Sequence, residues 1–123
     1  MSRFTDKINR MGESVEDFNR RFQVQRQGDV EKMLVRLMEE VGEVANAVNQ
    51  ADMDDAAAEL ADVLFVTMDA LYCLGDNGEE AIFGVTQKNN AKTLETHYVH
   101  PLSRRITRRI VPVPPAEPTG AHG

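Results

Sequence analysis

Tryptophan is absent, and aromatic residues of any kind make up only 6% of the 123 residues. A core must therefore be assembled mainly from Leu, Val, Ala and Met. Cysteine occurs once, at Cys73, which excludes an intramolecular disulfide and removes any pointer to an oxidising compartment. No apolar run approaches the roughly 20 residues that cross a bilayer. The opening MSRFTDKINR lacks the apolar h-region of a secretory signal. These absences predict a cytoplasmic chain with no membrane partner.

Proline is missing from residues 1–100, and all five prolines (Pro101, Pro112, Pro114, Pro115, Pro118) lie beyond them. Because proline breaks helix interiors, its absence suits an all-helical body. The same boundary divides the charge. Residues 1–100 hold ten Lys/Arg against nineteen Asp/Glu, whereas residues 101–123 hold four Arg and one Glu. An acidic body is a poor sheath for a phosphate backbone, which disfavours nucleic acid as the main partner unless the tail alone touches it. It suits divalent cations where carboxylates converge. The expected organisation is one all-α domain over residues 1–100, followed by an Arg/Pro-rich C-terminal tail over 101–123.

Periodicity supplies the elements. Ser14 reads as the start of the first clear helix, with Asp17 as a capping-box-like partner and Val15, Phe18 and Phe22 on one apolar face. Gly28 is read as its end and Asp29 as the N-cap of the next helix. That second helix, about Val30 to Asn49, carries the strongest stripe: Val30, Met33, Leu34, Leu37, Met38, Val41, Val44, Ala45 and Val48. A polar break leads to a third helix, about Ala56 to Leu74, with Leu60, Val63, Leu64, Met68 and Leu71 on its stripe. The turn GDNG at 75–78 introduces a fourth, about Glu79 to Leu94. Strand-like alternation is not evident in the body. Long amphipathic helices with short connections predict an antiparallel helical bundle of about four helices.

The chemistry concentrates in two acidic patches. Glu39, Glu40 and Glu43 lie on the second helix; Glu59 and Asp62 lie on the third. Glu40 and Glu43 share a helix face, as do Glu59 and Asp62, and each pair borders an apolar stripe. At about 1.5 Å per residue, Glu43 lies roughly 10 Å before the inter-helix turn and Glu40 roughly 15 Å, against roughly 7 Å for Glu59 and 12 Å for Asp62 beyond it. Folding the hairpin then sets Glu43 against Glu59 and Glu40 against Asp62. Any one such pair is ordinarily a solvated face, and Arg36 is a ready salt-bridge partner. Two pairs at matched heights instead suggest a cation site, because like charges so close otherwise repel or take up protons. Oxygen donors without nearby Cys or His select a hard ion, Mg²⁺ or Mn²⁺.

These residues resemble the MazG-like superfamily of all-α nucleoside triphosphate pyrophosphohydrolases. The signature E-E-x-x-E, a gap, then E-x-x-D is met by Glu39, Glu40 and Glu43, then Glu59 and Asp62, with fifteen residues between the blocks. The strings EEVGEVANAV and ELADVLF are similar to MazG-type sequence, and VTQKNNAKT supplies the N-x-x-K segment as Asn89 and Lys92. The resemblance implies Mg²⁺ held by Glu40, Glu43, Glu59 and Asp62, with Glu39 orienting or deprotonating a water or holding a further ion. It further implies Asn89 and Lys92 on the departing pyrophosphate, with Lys92 assisting the chemistry; Lys88, outside the matched pair but four residues before Lys92 on one helix face, is a further phosphate-binding candidate beside a merely solvated role. The implied reaction cleaves the α–β phosphoanhydride of a nucleoside triphosphate. The alternative is a non-catalytic helical interaction module with an acidic metal-binding surface.

Three further expectations complete the reading. Asn19, beside Phe18, is a candidate for contact with a nucleobase, a solvent-facing position being the commoner role. Gly42 in mid-helix is expected to mark a close helix crossing or a ligand against its backbone. The wide apolar stripes exceed what so small a bundle covers, and the resembling proteins are dimers or tetramers, so the bundle is expected to be completed by homo-oligomerisation.

Overall fold

The computed structural model describes residues 2–22, 30–111 and 113–114. It contains α1 (Arg3–Arg21), α2 (Val30–Asn49), α3 (Met53–Cys73), α4 (Asp76–Asn90), β1 (His97–Val99) and β2 (Ile106–Arg108). The chain forms two compact units, residues 1–81 and residues 82–123. No helix among the described residues is long and apolar enough to cross a membrane.

In the first unit α3 packs against both α1 and α2. The helix α1 begins well before Ser14. Its N-cap is Ser2, whose Oγ accepts from the Thr5 N–H at 3.1 Å. Asp17 is no capping partner; it pairs with Arg20 one turn on, on the exposed face. The positions read as Gly28 and Asp29 caps lie outside the described residues.

The helix α2 spans the range its stripe predicts. It ends where Ala51 adopts a left-handed φ of 58° and the Asp52 N–H reaches back to the Ala47 carbonyl at 3.0 Å. That reversal satisfies an end carbonyl of α2 and leaves only residues 50–52 before α3. Asp52 then caps α3, its Oδ1 accepting from the Asp55 N–H at 3.0 Å, while Asp54 and Asp55 favour the positive end of the helix. The tight turn makes α2 and α3 a hairpin, the frame on which the acids sit.

The core is aliphatic, as the shortage of rings requires: Val15, Met33, Ala47, Ala56 and Val66 are buried. Phe18 meets Phe65 edge-on at 5.7 Å between centroids, joining α1 to α3. The first turn of α4 comes so close to α3 that a Cβ on Gly78 would stand 1.9 Å from the Leu71 carbonyl oxygen. Gly42, by contrast, has nothing within 4 Å of where its Cβ would lie, so no helix crosses it among the described residues.

The second unit departs from the all-helical expectation. After α4 the chain forms an antiparallel hairpin in which His97 pairs with Arg108, Tyr98 with Thr107 and Val99 with Ile106. Its connection is closed by the His100 N–H on the Arg105 carbonyl (2.8 Å) and the Arg104 N–H on the His100 carbonyl (2.9 Å). Imidazole Nδ1 of His100 also accepts from the Leu102 and Ser103 amides. The Arg109 N–H then bonds to the Thr96 carbonyl at 2.7 Å and its Nε to the Leu94 carbonyl at 2.9 Å. Strands of three residues are too short for alternation to show in a sequence.

Candidate functional site

The α2–α3 hairpin brings Glu40 and Glu43 of α2 against Glu59 of α3, with one carboxylate oxygen of each inside a group spanning no more than 4.8 Å. Glu40 and Glu59 are partly buried and Glu43 is exposed. Oε2 of Glu40 and Oε2 of Glu59 are both shielded from solvent and have no hydrogen-bond partner. Shielded, unpartnered carboxylate oxygens are costly, and two in one cluster ask for a cation or a shared proton.

The electrostatics agree. Desolvation comes first in lifting the Glu40 carboxyl above its ordinary range, followed by the Glu43 carboxylate and then Asp62, with Arg36 opposing. Glu43 is lifted chiefly by hydrogen bonding and repulsion from Glu59, with Asp62 adding to it. The cluster resists full ionisation unless positive charge joins it. An all-oxygen donor set fits a hard divalent cation.

Not every expected acid enters the cluster. Asp62 is exposed and stands outside the group of converging oxygens, contributing its charge to Glu40 and Glu43. Glu39 is exposed and likewise outside it. The Glu43–Glu59 apposition is the part of the height arithmetic that the hairpin reproduces.

In the second unit Lys92 Nζ donates to Asn89 Oδ1 at 2.9 Å, while Asn89 Nδ2 donates to the Val85 carbonyl at 3.0 Å. The N-x-x-K pair is thus a single hydrogen-bonded device, anchored to the helix backbone. Lys88 is exposed one turn away from Lys92. Two residues not anticipated as functional, His97 and Arg108, line a cavity of about 360 Å³ together with Lys88 and Lys92. Neither carried a spacing signal, because the short hairpin that pairs them has none.

Asn19 is not solvent-facing. It is buried, and its Nδ2 donates to the Val15 carbonyl at 2.9 Å and to Asp69 Oδ1 at 2.8 Å. Cys73 Sγ lies 3.8 Å from Asn19 Oδ1, at the edge of the same cluster. The available signal was that Asn19 stands four residues after Val15, on the apolar face of α1.

Among known proteins, no curated protein and no solved structure matches the chain. A family model does: the MazG nucleotide pyrophosphohydrolase domain matches residues 29–98. The match covers more than half of the chain and contains both acidic patches, Asn89 and Lys92. With two acidic helices closing into a carboxylate cluster inside that span, the chain belongs to the MazG nucleotide pyrophosphohydrolase domain family.

Proposed function

We propose that the protein hydrolyses the α–β phosphoanhydride of a nucleoside triphosphate or related nucleotide, releasing a nucleoside monophosphate and pyrophosphate. One observation carries the reading: three carboxylates converge on the α2–α3 hairpin with two oxygens shielded and unpartnered. A polyanionic substrate approaches such a cluster only through bridging cations, so the proposal requires Mg²⁺, with Mn²⁺ as a substitute. Glu40, Glu43 and Glu59 would hold the ion, with Asp62 as the fourth acid of the motif. When bound, the ion polarises phosphate oxygens and acidifies a coordinated water.

The residues of the chain supply the rest. Glu39, one residue from Glu40, is assigned to orient or deprotonate the attacking water. Lys92, held by Asn89, donates to the departing pyrophosphate and offsets its charge, with Lys88 as a second cation. The substrate is a free nucleotide, and the acidic first unit disfavours a nucleic acid in its place. We assign the chain to the cytoplasm on its single cysteine.

Self-association belongs to the same proposal. Leu34, Met38, Val41 and Val48 recur along α2 and are each half or more exposed, from 50% to 67%. A second copy pairing on that face, as a dimer or tetramer, would remove it from water.

The test is pyrophosphate release across a panel of NTPs and dNTPs, with and without Mg²⁺. Metal-dependent turnover of at least one triphosphate is the expected result. No turnover together with no Mg²⁺ binding would leave a non-catalytic interaction module as the reading.

A further inference from the structure

The second unit has a charge character opposite to the first. Residues 82–123 carry six Lys/Arg and only two Asp/Glu. Its basic groups are not spread evenly. The end of α4 and the residues just after it bring Lys88 and Lys92, and the hairpin brings His97 and Arg108, to one cavity of about 360 Å³ that no carboxylate lines. Register explains the meeting. His97 and Arg108 are directly opposite each other in the antiparallel pair, so both side chains project from the same face. None of Lys88, Lys92 and Arg108 is engaged by an acid among the described residues. Nδ1 of His97 bonds to Thr96 Oγ1 at 2.7 Å, which fixes the ring and leaves Nε2 without a partner among those residues.

A second cavity, of about 480 Å³, adjoins the first and shares Lys92 and His97 with it. Its further lining includes Leu94, Val99 and Ile106, all more than half exposed, with Asn89 and Thr93 as hydrogen-bonding groups. Val99 and Ile106 are also a cross-strand pair, two residues along from His97 and Arg108 and therefore on the same face. One face of the hairpin thus offers cations at one end and apolar surface at the other. A ligand that fits both has an anionic end joined to a weakly polar body with hydrogen-bonding groups. The larger cavity is within the range that accepts a small molecule.

We infer that the hairpin unit carries a nucleotide subsite: Lys88, Lys92, His97 and Arg108 hold the polyphosphate, and the adjoining cavity beside Leu94, Val99 and Ile106 takes the nucleoside. The inference rests on the proposed hydrolase reading and extends it to residues outside the N-x-x-K pair. Arg108 is its most specific element, because a guanidinium can bind two phosphate oxygens at once where a lysine binds one.

The experiment is calorimetric titration of the full chain in EDTA, where the acidic cluster has no metal with which to bridge phosphates. The probes are inorganic pyrophosphate, the four non-hydrolysable α,β-imido deoxynucleoside triphosphates, the corresponding nucleosides and a thymidine dodecamer. At least one triphosphate analogue should bind about tenfold or more tightly than pyrophosphate. Arg108→Gln should weaken both analogue and pyrophosphate by about tenfold or more, the range of a charge-assisted hydrogen bond. Arg108→Lys should recover part of that loss. Ile106→Ser should weaken the analogue alone, and Arg105→Gln, an equal loss of charge off both cavities, should change nothing.

Circular dichroism checks that the strand variants fold, and Lys88→Gln on α4 repeats the test away from the hairpin. The inference is overturned by an absence of binding, by Arg108→Gln and Lys88→Gln variants that bind as wild type, by equal loss in Arg105→Gln, by an analogue no tighter than pyrophosphate, or by a dodecamer that binds as tightly as the analogue. Hydrolysis with Mg²⁺ separates the two readings. Turnover with unaltered Arg108→Gln binding sinks the subsite alone, whereas binding without turnover of any triphosphate sinks the hydrolase alone.

Discussion

The Nδ2 of Asn19 on α1 donates to Oδ1 of Asp69 on α3 at 2.8 Å, with both side chains buried. The pair ties the first helix to the third by a polar contact inside an otherwise apolar interface, which also holds the Phe18–Phe65 contact. Replacing Asn19 with Ala removes one of the buried donors to Asp69, at a cost of about 1–3 kcal/mol. Urea unfolding should show this loss. At temperatures where the variant is folded, KM for the preferred nucleotide should stay within about twofold of wild type. A raised KM with unaltered stability would return Asn19 to the role of a base contact.

Glu40 and Glu43 both titrate above their ordinary value of 4.5. An acid whose folded pKa is raised carries a penalty when ionised. That penalty is fully present above the folded pKa and is relieved as pH falls through it towards 4.5. The metal-free chain should therefore gain stability from this pair as the pH is lowered from neutral. Glu95 is held below 4.5, first by its hydrogen bond with Thr93, so its opposing contribution is lost only at pH below that value. Melting curves in EDTA at pH 7 and pH 5 should show the wild type gaining relative to a Glu40→Gln, Glu43→Gln double variant. Saturating Mg²⁺ should shrink the difference, because bound cations relieve the same repulsion. Equal pH responses in the two proteins would argue that the carboxylates do not interact in solution.

Charge removal at the same cluster should separate stability from turnover. Glu43→Gln and Asp62→Asn keep side-chain shape while removing a negative group, and each should lower the Mg²⁺-dependent rate at least about a hundredfold. Melting temperature without metal should stay level or rise. Near-normal rates in both variants would remove the acidic hairpin from the chemistry.

Much of this arrangement was legible because helices report their faces. The α2 stripe returns at every turn over twenty residues, and its range in the structure is the range its pattern predicts. The apposition of Glu43 and Glu59 followed from rise per residue and a short turn. Heights do not fix side-chain direction, which is why Asp62, at a suitable level, remains outside the converging oxygens. The early part of α1 was hidden by Ser14, which has the chemistry of a cap but lies in mid-helix. Phe4, Ile8, Met11 and Val15 already keep helical spacing there. The hairpin left no pattern, since its strands have three residues each and are held largely by backbone bonds.

Two glycines should respond in opposite directions to the same substitution. Alanine at Gly78 would place a Cβ 1.9 Å from the Leu71 carbonyl oxygen, a backbone atom that cannot turn aside. Overpacking of that kind costs about 1–3 kcal/mol, outweighing the helix preference of Ala. Gly42→Ala meets nothing within 4 Å and should stabilise an isolated chain by up to about 1 kcal/mol. Chemical denaturation of the two variants beside wild type decides both. Stabilisation by Gly78→Ala would mean that α4 does not start against α3 as described.

The proposed assembly rests on the apolar face of α2. Leu34, Met38 and Val41 follow one another at spacings of four and three, and Met38 is 67% exposed. On α3, Leu60 is 55% exposed. A hairpin that leaves so much aliphatic surface in water is poorly stabilised alone, because each half-exposed side chain forgoes about half of the roughly 1.5–3 kcal/mol that full burial supplies. A symmetric partner would supply that burial by using the same patch twice. Light scattering at micromolar concentration should therefore give a mass of at least twice 13.8 kDa. Deleting residues 112–123 should leave the mass unchanged, because the proposed interface lies on the helices. Met38→Glu, which sets a charge in the middle of the stripe, should lower it towards that of one chain. A single-chain mass for the wild-type protein would show that the stripe is tolerated in water and that no second copy is needed to complete the bundle.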